Sequence, residues 1–182
     1  MAIGARPPPP VSRQIAFIGI LSAAYVAAGT TLGFLVGPAL RGYPAHFFRG
    51  LLMSATAAYS RRMWSSTAMG AISGLIFLVT VPITPAPYLL PASIAAGVAY
   101  DLSARVRSQY QESVRSRRRI LLSTVLSGLA ESVVALAILT YVGLFKVSPP
   151  VVALIWAGAI VANILISSLG ALTMSLTAKR LL

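Results

Sequence analysis

The sequence predicts an all-α integral membrane protein, a bundle of six transmembrane helices with both termini cytoplasmic. Three observations carry this. The chain is 57% hydrophobic and 10% charged, with a mean hydropathy of +0.83, whereas soluble domains carry about 25% charged residues. Its apolar residues fall into runs separated by short loops, most of them near the roughly 20 residues that cross a hydrocarbon core about 30 Å thick. Finally, Lys and Arg crowd onto alternate loops, the pattern that fixes orientation in a membrane.

Residues 1–12 form a short cytoplasmic lead whose four consecutive prolines, Pro7 to Pro10, cannot continue a helix. Residues 13–182 read as a single membrane domain. The first apolar run, Arg13 to Val36, is too long for a removable signal peptide and lacks a convincing cleavage site. Gly37-Pro38 closes it and 38–44 is a loop. Pro44 to Tyr59 is a second, shorter span ended by Arg61-Arg62, and Trp64 to Val81 is the third, with Pro82, Pro85 and Pro87 breaking the chain after it. Tyr88 to Ala104 is the fourth, its Pro91 in the first turn, where a missing N–H does little harm. Residues 105–119 are the only extended hydrophilic segment. Ile120 to Phe145 is the fifth span, Lys146 to Pro150 a tight turn, and Val151 to Thr177 the sixth.

With the N-terminus cytoplasmic, the inside set holds Arg6, Arg13, Arg61, Arg62, Arg105, Arg107, Arg115, Arg117, Arg118, Arg119, Lys179 and Arg180, against Arg41 and Lys146 outside. Twelve against two settles the orientation and assigns the net charge of +12 to topology and anionic lipid rather than to nucleic acid. The expected location is the plasma membrane. The absence of cysteine excludes disulfides and thiolate metal sites, and one His with three acidic residues cannot build a multi-ligand metal centre from side chains alone.

Glu131 is the residue that asks for an explanation. It lies eleven residues from one end of the fifth span and fourteen from the other, near the bilayer midplane. An ionisable group there faces protein or a water-filled cavity and is by default a functional candidate. Ser127 and Ser123 share its helical face, Asn163 lies at similar depth in the sixth span, Trp156 is seven residues before Asn163, and Tyr141 sits near the outer end of the fifth span. Two readings stand. Glu131 is a protonated carboxyl bonded to Asn163 or a serine, gluing helices together. Alternatively, Glu131 and Asn163 supply polar contacts to a ligand and Trp156 and Tyr141 its stacking surface. Arg49, about five residues into the second span, either snorkels to the outer interface or faces a cavity open to the outside, with His46 almost one turn before it.

Span one carries small residues four apart: Gly19, Ala23 and Ala27; Ala24 and Ala28; Gly29, Gly33 and Gly37. Such a ridge lets a helix approach closely, either within the bundle or from another protein. Enzyme motifs are poorly matched. Gly70-Ala71-Ile72-Ser73-Gly74 is similar to an intramembrane protease nucleophile motif but lacks its first glycine and any following His base. Asp101-Leu102-Ser103-Ala104-Arg105 is similar to a fragment of a lipid phosphatidyltransferase signature without its further aspartates; Asp101 fits an i,i+4 pair with Arg105 better. No phosphate-binding glycine loop is present, so no ATP hydrolysis by this chain and no catalytic residue is expected.

Taken together, the six-helix layout, the pairs Ala23/Ala27 and Ala24/Ala28, and the series FRGLLMSATAAYSRR, AMGAISGLIFLV, a proline break and IAAGVAYDL between Phe48 and Asp101 resemble the substrate-binding (S) component of energy-coupling factor transporters. The resemblance implies a non-enzymatic bundle that captures a vitamin-type organic micronutrient from outside. It implies docking on a transmembrane coupling protein through the alanines, with a cytoplasmic ATPase pair hydrolysing the ATP and no cofactor of its own. It further implies a pocket in the outer half, lined mainly by spans four to six, with Pro38 to Pro44, including Tyr43, as lid. The His-bearing N-terminal signature of the cobalt and nickel branch is absent, which implies an organic substrate. The substrate contacts expected are then Glu131, Asn163, Trp156 and Tyr141, with Arg49, His46 and Tyr43 toward the entrance. Two other readings remain: a self-contained secondary transporter with Glu131 as its proton-coupling carboxylate, and a small structural protein with no ligand.

Overall fold

The computed structural model describes residues 8–36, 42–80, 88–105 and 110–181. Among them the chain is helical, with no strand: α1 (Val11–Leu35), α2 (Gly42–Ser60), α3 (Ser65–Thr80), α4 (Leu89–Arg105), a single turn α5 (Tyr110–Ser113), α6 (Arg117–Tyr141) and α7 (Pro149–Leu181). The six long helices coincide with the six expected runs to within a few residues. Helix α6 stops four residues before Phe145 because Gly143 takes φ +74 just beyond it. The N–H of Gly143 then reaches Thr140 O and that of Leu144 reaches Leu139 O, closing the helix end with a Schellman motif. Helix α7 begins with Pro149 in the first turn, where proline's fixed φ is already helical.

Helices α1, α6 and α7 are each long and apolar enough to cross a bilayer, and α3 is a shorter apolar helix. The protein is membrane-embedded. Helices α2 and α4 are less apolar because they carry His46, Arg49 and Asp101.

The helices close into a ring in the order α1, α3, α4, α6, α7, α2, and α2 also reaches α3 and α6. Long helices consecutive in the chain run antiparallel, which leaves the ring neighbours α1 and α3, and α2 and α7, parallel; Phe17 near the start of α1 stacks on Tyr59 near the end of α2 at 4.0 Å. One apolar cluster centres on Tyr25, Met53, Met69, Phe77 and Tyr100, a smaller one on Ile120, Ala171 and Met174. Between them the interior is rich in hydroxyls, including Ser22, Ser54, Thr56, Thr124 and Ser127. With no hydrophobic force between helices in lipid, such small polar residues and close backbone approach do the packing. The Gly70…Gly74 stretch serves this purpose. Side chains at Gly70 or Gly97 would overlap backbone of the facing helix, at Ser93 and Ser66 respectively, so these glycines set the α3–α4 contact.

At the end of the bundle bearing the arginines, Asp101 is fully buried and does not pair with Arg105, whose guanidinium turns to Met63 Sδ at 3.5 Å. Asp101 Oδ2 instead accepts from Thr67 N–H at 2.9 Å and the Thr67 hydroxyl at 2.8 Å, and its Oδ1 accepts from Tyr110 at 2.7 Å. A carboxylate from α4 thus caps the N-terminus of α3, where unpaired N–H groups and the helix dipole favour an anion. The same carboxylate pins α5 against the bundle. Burial, with Asp101 beside it, holds the Tyr110 hydroxyl well above the ordinary tyrosine range. The folded state therefore keeps a proton that the unfolded chain releases above about pH 10. Stability is full below that value and falls as pH rises beyond it. Thermal unfolding followed from pH 8 to 11 should show this alkaline fall, and Tyr110→Phe should flatten it. Asp101→Ala, which orphans three donors, is expected to cost about 1–3 kcal/mol at neutral pH.

Candidate functional site

The site is assembled where α2, α6 and α7 meet. Cβ atoms at Gly50 of α2 and Gly170 of α7 would overlap the Ser167 and Phe47 carbonyls, so the two backbones touch. That contact delivers Arg49, one residue before Gly50, onto the α7 face bearing Asn163 and Ser167. Gly128 of α6 leaves room for the guanidinium; a Cβ there would lie 3.3 Å from Arg49 Nη2. Glu131 projects from α6 one turn beyond Gly128.

The result is a buried charge pair held by several polar supports. Arg49, 2% exposed, pairs through Nη1 with Glu131 Oε2. Its Nη2 donates to Asn163 Oδ1 at 2.7 Å and to Ser167 Oγ at 2.6 Å. Asn163 Nδ2 in turn donates to Glu131 Oε2 at 2.8 Å, Ser132 Oγ at 2.8 Å and Gly128 O at 3.2 Å. The Asn163 amide thus offers its oxygen to the cation and its N–H groups to the anion, matching both charges at once. Taking two ions out of water costs several kcal/mol each, and the hydrogen bonds from Asn163 and to Asn163 and Ser167 offset part of that cost. His46 Nδ1 lies 3.5 Å from the same Oε2, too far for a good hydrogen bond.

A cavity of about 400 Å³ lies against this network. All six long helices contribute to its wall: Tyr25 and Gly29 from α1, Ala45 and His46 from α2, Phe77 from α3, Leu89 and Ala92 from α4, Glu131, Ser132, Ala135 and Leu136 from α6, and Ala159 and Asn163 from α7. These residues cluster where α1, α3 and α6 end and α2, α4 and α7 begin, opposite Arg13, Arg62 and Arg117 to Arg119.

Glu131, Asn163, Arg49 and His46 are therefore brought together. Arg49 neither snorkels nor faces a cavity; it is sealed against α7 as the counter-charge of Glu131. Trp156 and Tyr141 do not line the cavity. Trp156 donates through Nε1 to Thr140 Oγ1 at 3.2 Å, and Tyr141 is 92% exposed. Seven residues along α7 place Trp156 about 10 Å from Asn163, on a helix that leaves most of its apolar surface outside the bundle. The aromatic wall is instead Tyr25 and Phe77, edge to face at 5.3 Å, with Tyr88 nearby. Sequence reasoning missed Tyr25, whose only signal is an aromatic between the small residues Ser22 and Gly29 on one helix face. Tyr43 is 40% exposed and, with Pro44, belongs to the first turn of α2 rather than to a loop. Residues 37–41, the rest of the expected lid together with Gly37 and Arg41, lie outside the described residues, as do Pro82, Pro85 and Pro87 after α3. Ser123 and Ser127 are buried on the Glu131 face, with Ser127 Oγ 3.5 Å from Met53 Sδ, and the structure records no hydrogen bond from either to Glu131.

The small residues of α1 split between two directions. Ala23, Ala24 and Ala27 are exposed, Ala28 is half-buried, and nothing lies within 4 Å of a Cβ at Gly19. Gly29 and Gly33 are buried, Gly29 close against Ala45 of α2. The alanine ridge turns away from the bundle, and the glycines pack within it.

No family of known proteins, no characterised protein and no solved structure matches this chain. Its chemistry is read from the site itself.

Proposed function

We propose that this chain is the substrate-capture subunit of an ATP-driven micronutrient importer, of the S-component type. The observation that carries the reading is the cavity walled by all six long helices, with a charge-paired polar floor at the end opposite the arginines. A site of about 400 Å³ falls within the range that encloses small organic molecules. In this reading α1 to α4, α6 and α7 all cross the membrane, both termini and the basic loops are cytoplasmic, and the cavity faces outward. The chain carries no catalytic residue and no cofactor; the energy comes from a coupling protein and two ATPases. The exposed Ala23, Ala24 and Ala27 ridge supports docking on that coupling protein, since a flat strip of small side chains permits close helix contact in lipid. Glu131 has a buried cation as its permanent partner, which favours a structural and binding role over that of a proton carrier.

Co-expression with a coupling protein and its ATPases tests this directly. The wild-type chain should co-purify with them, and Ala23→Trp with Ala27→Trp should abolish the association while leaving the thermal midpoint of the isolated chain within a few degrees. Uptake by the isolated chain in ATP-free vesicles, driven by a proton gradient, would instead identify a secondary transporter.

A further inference from the structure

Resting on the capture reading, we propose that the cavity selects a compact heteroaromatic compound, neutral or cationic, that presents an N–H donor at one edge, and that it rejects anions. The first reason is the carboxylate. Among the described residues the polar partners of Glu131 fall on Oε2, from Arg49, Asn163 and the nearby His46, and the structure records none on Oε1. The Glu131 side chain is 11% exposed and lines the cavity. One carboxylate oxygen is thus anchored and the other is available as a charged acceptor, which asks for an N–H or O–H donor rather than a second anion.

The second reason is where the positive charge lies. Among the described residues the cavity wall contains no Lys or Arg, because the guanidinium of Arg49 is sealed behind Glu131 against Asn163 and Ser167. An incoming carboxylate or phosphate would meet Glu131 without a cation of its own. The third reason is shape. Tyr25 and Phe77, edge to face, supply aromatic surface, and Gly29, Ala92 and Ala135 leave beside it a space free of bulky side chains that admits a planar ring. His46 lines the same space, 28% exposed, and its imidazole makes no hydrogen bond to a described residue, so it can hold a second polar atom of the ring edge. At about 400 Å³ the volume lies toward the lower end of the range for small-molecule sites, which limits the ligand to a compact ring system.

The test uses the full chain in lipid nanodiscs, with calorimetric titration of cytosine and adenine as donor-bearing rings against orotate and nicotinate as ring carboxylates. The compound that the protein retains on purification is identified by native mass spectrometry in parallel. A site built around a hydrogen-bond donor discriminates against analogues lacking it by orders of magnitude. The amino heterocycles should therefore bind at least about 100-fold more tightly than the carboxylates, or a retained compound should carry a ring N–H or amino group and no acidic group. Carboxylates binding equally well, or a retained acidic compound, would overturn the assignment while leaving capture intact. A protein that retains nothing and binds none of the four probes at millimolar concentration would overturn the capture reading itself, and this inference with it. Glu131→Gln alone strands Arg49, so the informative variant is Arg49→Met/Glu131→Gln. In that background the discrimination should shrink at least tenfold, and unchanged discrimination would exclude Glu131 as its source.

Discussion

Arg49→Met should destabilise the protein by about 3–5 kcal/mol, the largest single-residue effect expected in this chain, because it leaves the Glu131 carboxylate buried without its cation. Chemical unfolding in detergent micelles would measure it. The double variant Arg49→Met/Glu131→Gln should recover most of that loss. A buried ion pair replaced as a unit by uncharged groups of similar size is often neutral or stabilising, whereas breaking one partner is not. The four proteins form a double-mutant cycle, and a coupling of several kcal/mol is expected between two residues in direct contact. An Arg49→Met protein within about 0.5 kcal/mol of wild type would mean that the pair does not form in the membrane; surface changes away from special features fall in that band.

The second large effect belongs to Gly50 and Gly170. Gly50→Val or Gly170→Val drives a side chain into a backbone carbonyl of the opposing helix, at Ser167 or Phe47 respectively. Backbone cannot rotate aside as a side chain can, so α2 and α7 must separate, at a cost of about 3 kcal/mol or more given the typical 1–3 kcal/mol for overpacking a yielding core. Separation also draws Arg49 away from Asn163 and Ser167, two hydrogen bonds of 2.7 and 2.6 Å. Both stability and ligand retention should then fall together. Val at Gly158, where a Cβ would meet nothing within 4 Å, is the control and should change neither.

What the sequence disclosed follows physical lines. The six helical runs were visible because hydropathy is a local property, but the expected fifth span runs on to Phe145, past Gly143, whose positive φ ends α6. Glu131 and Asn163 stood out as polar groups deep in apolar runs, and they do meet, Nδ2 to Oε2 at 2.8 Å. The partner of Glu131 was not legible. Arg49 looks shallow when counted from the start of its own helix, and its neighbour is decided by which helices adjoin in the ring, a fact no periodicity contains. Asp101 was misjudged for the same reason. Arg105 is one helical turn away in sequence, but the N-terminus of α3 offers the buried carboxylate two donors on Thr67. The alanines and glycines of α1 share one spacing yet face opposite ways, and only the position of α2 against Gly29 separates them.

Capture requires a small molecule in the cavity beside Glu131, and native mass spectrometry of the chain released from its own membranes measures that most directly. The predicted result is a single organic adduct on the wild-type chain that disappears in Ala135→Trp, a variant that adds bulk to the cavity while leaving Arg49, Glu131 and Asn163 themselves unchanged. A wild-type chain carrying no adduct, or an adduct that survives Ala135→Trp unchanged, would contradict it.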